Sequence, residues 1–362
     1  MRFKEIWNKV TRSDSFLPAR LDIPSAQTDI GHLLENPFRT NEQYFTVRVN
    51  EMYLTYQRKW FSEYDPVVFV ASEFVYDNEK MTVPFVVGKG MLDGLAGKFP
   101  IPDGMIYKNV TVAGTHPFRG DPFTLNIVLG RLRQKDYLRK ILKLIESTSA
   151  TYTGGFATLV KSYAKVASVV LDGIDYLMDS KEIEPLIGHS NTIMQNANDE
   201  FRPGYYALIN KSEKEIKPSD LFVKKNGLYF GESLENSEPF REDDYVLYSV
   251  MSVNERNDTD LLPFKKEWDD LLKYAMSFTS ITDDDWLQIK GKLFALHSSV
   301  RLSPDLTRAH ASKINDGYKK EILDVKKERA DLGADRRSLA AKSDKDPYER
   351  QMDQRALDIL KL

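Results

Sequence analysis

The run from Phe156 to Met178 (FATLVKSYAKVASVVLDGIDYLM) is apolar on most sides, and a helix of that kind has to be covered by other parts of the chain. It follows Gly154-Gly155, a hinge by composition. Ahead of the hinge, Leu138, Ile141, Leu142 and Ile145 recur at helical spacing. Ahead of those, Phe123, Leu125, Ile127 and Leu129 alternate with Thr124, Asn126, Val128 and Gly130, the period of a strand with one buried face. Residues 115–180 therefore predict a turn, a strand and a helical hairpin, with neighbouring strands and later elements packed on the hairpin.

The strands preceding this stretch are read from alternation in one case and from richness in Val and Phe in the next two. Phe45, Val47 and Val49 alternate within a run from Tyr44 to Tyr56, and Pro66 to Tyr76 and Met81 to Val87 are separated by Asp77-Asn78-Glu79, a hairpin-like connection. Met105 to Ala113 predicts a further strand, and His116 to Pro122 (HPFRGDP) is a turn by composition. Strands joined by short connections pair antiparallel. Residues 15–43, with Pro18, Pro24 and Pro37, read as an irregular arm, and the polar stretch between Ser180 and Phe201 reads as a linker. Short β runs return at 205–209, 221–223, 228–230 and 245–253, with Asn226-Gly227 as a turn signal. From Pro263 the chain is helical in character. Phe264, Trp268, Leu271, Leu272 and Ala275 share one helix face, and Thr282 followed by three aspartates caps the next helix. Pro304 is expected to open a last long helix.

The expected class is α+β: an antiparallel β-sandwich with a packed helical hairpin, a second small β unit and a helical C-terminal arm. The boundaries are 1–42 for an N-terminal arm, 43–190 for the sandwich with its hairpin, 200–262 for the β-rich unit and 263–362 for the helical region.

YFTVRVNEMYL, followed by EYDPVVFVASEFVYDNEKMTVP, resembles the opening strands of C2-type β-sandwich domains, in which an Asp-Pro step, here Asp65-Pro66, introduces a strand. The resemblance covers residues 43–130 and implies a sandwich and, in members that bind calcium, aspartates from several loops. Asp65, Asp77, Asp93 and Asp103 fall in the right region without a dense Asp-x-Asp loop, and solvated turn aspartates are the prevailing reading.

Several chemistries are excluded or disfavoured. The absence of cysteine excludes disulfides, thiolate metal sites and a cysteine nucleophile. The five histidines, at 32, 116, 189, 297 and 310, form no i, i+4 pair and no HExxH. The Gly88–Gly97 region lacks the P-loop spacing, and GxSxG is absent. No cofactor and no metal are expected. A net charge of −3 gives no strong nucleic-acid signal. The N-terminus has no secretory h-region, and Lys161, Lys165, Asp172 and Asp175 interrupt the best apolar run. A cytoplasmic protein is expected.

Two sets of residues are candidates for function. His116, Arg119 and Asp121 lie in one tight loop that could point a base, a cation and a carboxylate at one ligand, although Arg and Asp flanking Gly120 also suit a plain turn. In the last helix Ile322, Val325, Arg329, Leu332, Arg336 and Leu339 follow an approximate heptad seam, with arginines at two of its positions. Such a seam fits a protein partner that supplies carboxylates or a second copy with offset register, or else packing back onto residues 264–298. The leading expectation is a non-enzymatic interaction or regulatory protein that binds a partner through its helical C-terminal region. A role as an accessory factor in a bacterial stress or defence system is compatible with it. The alternative is a peripheral membrane or lipid-binding protein with a C2-like domain.

Overall fold

The computed structural model describes residues 19–55, 58–59, 62–63, 65–76, 79–88, 110–132, 172, 183–193 and 201–334. The fold is mixed α+β, with antiparallel sheets and a helical C-terminal region. The strands are β1 (Ala19–Ile23), β2 (Tyr44–Tyr53), β3 (Arg58–Lys59), β4 (Ser62–Glu63), β5 (Asp65–Tyr76), β6 (Glu79–Gly88), β7 (Val110–Pro117), β8 (Phe123–Leu132), β9 (Ile183–Ile193), β10 (Gly204–Ile209), β11 (Leu221–Lys224), β12 (Gly227–Gly231), β13 (Ser237–Pro239) and β14 (Tyr245–Val253). The helices are α1 (Pro263–Met276), α2 (Asp283–Leu302) and α3 (Arg308–Ala334). Two compact units part between Asn254 and Glu255. The helical hairpin expected at 138–178 lies outside the described residues.

In the first unit, β1-β10-β14-β2-β7 form a five-stranded sheet and β6-β5-β8-β9 a four-stranded one. Aromatic rings from both share one interior: Phe45 of β2 meets Phe123 of β8 at 4.9 Å, and His116 of β7 meets Phe74 of β5 at 4.1 Å. Strand β8 differs from its expected single buried face. Leu125, Ile127 and Leu129 are buried on one side, and Asn126 and Val128 on the other, so both faces of this sheet are covered.

Two segments without a sequence signal for strand are strands. The presumed arm contains β1, whose Ala19, Leu21 and Ile23 are buried and which pairs with β10. The presumed linker contains β9, the edge partner of β8, with Ile183 and Ile187 buried. Pro185 of β9 stands where the β8–β9 register shifts between Leu129 and Gly130, and an edge with an irregularity is where a sheet tolerates proline.

The strands of 200–262 go to two places. β10 and β14 complete the five-stranded sheet, whereas β11-β12-β13 form a small sheet. Leu221, Val223, Leu228 and Phe240 from the small sheet and its surroundings pack on Leu21, Tyr205, Ala207, Tyr245 and Leu247 of the large one. The β11–β12 turn is centred on Lys225 and Asn226, with φ of 50° and 62°, both in the left-handed region that a two-residue hairpin needs. Gly227 is then the first paired residue. A Cβ there would meet the Glu51 carboxylate at 3.2 Å, so the glycine permits a close approach to β2. The Gln27 side chain donates to the carbonyls of Pro218, Ser219 and Leu221 and ties the segment after β1 to the small sheet.

In the second unit Phe264, Trp268, Leu271 and Ala275 of α1 pack with Trp286, Ile289, Leu293, Leu296 and Val300 of α2 and with Ala311, Ile322 and Val325 of α3. Each Leu, Ile, Val or Phe among them contributes roughly 1.5–3 kcal/mol on burial. Thr282 and Asp285 form a reciprocal capping box on α2. The last helix opens at Arg308 rather than at Pro304. The hydroxyl of Thr307 accepts the His310 N–H, while Asp305 and Leu306 are buried in the turn before it. Among the described residues no helix is long and apolar enough to cross a membrane.

Candidate functional site

His116, Arg119 and Asp121 do not converge. His116 stands opposite Phe45 in the β2–β7 register, and its ring is buried between Phe74 at 4.1 Å and Phe45 at 5.5 Å. Arg119 and Asp121 follow the end of the strand and are exposed on either side of Gly120, whose φ of 84° makes the turn. The imidazole belongs to the packed interior and the two charges to the loop.

The seam of α3 divides as well. Ile322 is 1% exposed and Val325 7%, and both belong to the three-helix core. For these two positions the observed arrangement is packing on α1 and α2, not a surface open to a partner. Arg329, one turn on, is partly buried, with its Nε shielded from solvent and without a hydrogen-bond partner. Leu332 lies on the helical backbone, and Arg336 and Leu339 lie outside the described residues.

Three ionic clusters arise from residues that no local motif connects. Glu51 of β2, 2% exposed, accepts hydrogen bonds from the Leu228 N–H at 2.7 Å, the Tyr245 hydroxyl at 2.7 Å and Arg241 at 3.1 Å. Burial, then the Glu51 charge, pushes the Tyr245 hydroxyl well above its ordinary pKa. Asp244 accepts from the Thr55 N–H at 2.7 Å and from Asn210 at 3.3 Å, with Arg131 at 3.5 Å. In the helical unit the Arg256 side chain is wholly buried and grips Asp258 through two bonds of 2.5 and 2.7 Å, and it also donates to the Asp305 carbonyl at 2.8 Å. Burial raises the Asp258 carboxyl, and the Arg256 hydrogen bond and charge more than offset it, so its pKa falls below the usual range. The carboxylates of Glu51, Asp244 and Asp258 have their bonds made, although the Arg131 Nε is shielded without a partner; the chemistry of these clusters is to fix loops against strands and helices.

A fourth polar group lies between the two large sheets. Arg20 sits over the Tyr206 ring at 5.3 Å, and Tyr206 stacks on Tyr248 at 5.0 Å. Burial, then the Arg20 charge, holds the His189 imidazole down to about 4, and its Nε2 is shielded without a partner. Burial also pushes the Tyr206 hydroxyl up to about 12.

Among the described residues no three His, Asp or Glu side chains come together as metal ligands. Asp65 begins β5, while Asp77, Asp93 and Asp103 lie outside the described residues. No protein-family model matches the chain, and no curated protein matches it in sequence.

Proposed function

We infer that the chain is an interaction protein. Its scaffold is a two-sheet β-sandwich with a small satellite sheet, and its helical C-terminal region binds a protein partner. The shared aromatic interior of Phe45, Phe74, His116 and Phe123 supports the sandwich. The observation that carries the binding role is at the end of α3. Val325 is the last residue of α3 in the three-helix core, yet the helix runs on to Ala334, about 13 Å at 1.5 Å per residue. On the same seam Arg329 holds a shielded, unpartnered Nε. A buried guanidinium calls for an acceptor, and a carboxylate from a partner helix supplies one. Leu332, Arg336 and Leu339 continue the seam in the sequence and would extend the same surface.

The test is the double substitution Arg329→Glu and Arg336→Glu in the full chain. Thermal melting should shift by no more than a few degrees, since Arg329 does not belong to the three-helix core. A partner cross-linked to the parent protein should be lost. A partner retained by the variant, or a collapse of its melting transition, would overturn the reading.

A further inference from the structure

One transverse row of the five-stranded sheet runs Ile23, Tyr205, Ser249 and Arg48, each residue directly opposite the next. Directly opposed residues project to the same face. Thr46 is two residues before Arg48 on β2 and so shares that face. Ser249 is 0% exposed and Thr46 4%. The hydroxyls of both and the Nε of Arg48 are shielded from solvent and have no hydrogen-bond partner. Buried polar groups left in this state are few in folded proteins, and each calls for a reason.

The neighbouring side chains direct their hydrogen bonds elsewhere. The Tyr205 hydroxyl, next in the row, is given to Asn226 at 2.6 Å. Glu51, three residues after Arg48, is used by Leu228, Tyr245 and Arg241. What is left is a permanent cation that only donates, beside two hydroxyls able to donate. Arg48 is itself only partly buried. Acceptor oxygens with negative charge complete such a set, because charge-assisted bonds from a guanidinium are the strong ones.

We propose that Arg48, Ser249 and Thr46 form a binding site for an anionic oxygen ligand, a carboxylate or a phosphate. The site is distinct from the α3 seam and does not depend on a partner there. The measurement is thermal melting of the full chain over a concentration series of sodium phosphate and, separately, sodium acetate, against sodium chloride at matched ionic strength. A ligand that binds only the folded state raises the melting temperature along a saturating curve. The expected result is a saturable rise of a few degrees with one of the two anions, and which one responds identifies the source. Arg48→Met should abolish the saturable part, Arg48→Lys should keep some of it, and the double variant Thr46→Val, Ser249→Ala should bind about tenfold or more weakly. Phosphate also stabilises proteins through general exclusion. A rise that persists undiminished in Arg48→Met is that effect and overturns the site, as does the absence of any saturable rise with both anions. A double variant that binds as tightly as the parent removes the hydroxyls from the assignment and overturns it as stated.

Discussion

Glu51 and Arg48 are three residues apart on β2, and their surroundings could hardly differ more. Around Glu51 a backbone N–H, a hydroxyl and a guanidinium converge on one carboxylate within 3.1 Å. Around Arg48 an Nε and two hydroxyls are shielded from water with nothing to meet them. Both sets are polar residues taken out of water by a folded sheet. The first repays that cost with bonds inside the protein; the second carries it. A buried polar group that holds a fold together can be told from one kept for another purpose by asking whether its bonds are already made.

The largest expected effect bears on the satisfied side of this contrast. Glu51→Ala would strand the Leu228 N–H, the Tyr245 hydroxyl and Arg241 at once, and should cost about 3–5 kcal/mol in urea denaturation. A loss below 1 kcal/mol would mean that the small sheet does not depend on this carboxylate.

His189 sharpens the contrast from a third position. Its folded pKa of about 4 lies below the ordinary 6.5, with burial the larger cause and Arg20 the second. The folded state therefore prefers the neutral ring. Its contribution is intact above pH 6.5 and is lost as pH falls towards 4, because the unfolded chain takes up the proton first. The loss amounts to roughly 3 kcal/mol. His297 and His310 are lowered in the same direction, so the comparison must be with His189→Phe, whose stability should fall less between pH 6.5 and 4. Identical pH profiles for parent and variant would remove His189 from the account.

The smallest effect has the opposite sign. Thr46→Val with Ser249→Ala deletes two hydroxyls that have no partner, so the variant without added anion should be more stable than the parent by up to about 1 kcal/mol. A destabilisation of that size in the same urea titration would show that the hydroxyls do hold the fold, and the contrast with Glu51 would fail.

Much of the framework was legible locally. β2 and β8 were readable because their apolar residues recur every second position, β5 and β6 because they are rich in Val and Phe around a hairpin-like connection, and α1 and α2 because Trp268 and Leu271, or Trp286 and Ile289, recur at helical spacing. β1 was hidden because its five residues lie between Pro18 and Pro24. β9 was hidden because Pro185, Gly188 and its hydroxyl and amide side chains suit a loop, and only pairing with β8 makes a strand of them. The polar sites were illegible for a related reason. In YFTVRVN, Thr46 and Arg48 alternate with buried valines and read as a solvated face. The small sheet, more than 170 residues later in the chain, packs on β2 at Glu51, as the Leu228–Glu51 bond shows, and local sequence carries no sign of it. Conversely His116 looked catalytic beside Arg119 and Asp121, because sequence adjacency does not show that a strand ends between them.

The order β1-β10-β14-β2-β7 also bears on how the protein comes into being during synthesis. The clamp from Gln27 to Pro218 spans 191 positions, and β2 cannot gain its inner neighbour until β14 has been made. β5 and β6, by contrast, are joined at Tyr76 and Glu79 and can pair as they emerge. The nascent chain therefore carries an N-terminal strand and one open side of β2 through most of translation. Unpaired strands of this kind template association between chains. Slowing elongation before Val253 should lower the soluble yield, whereas a pause after it should not.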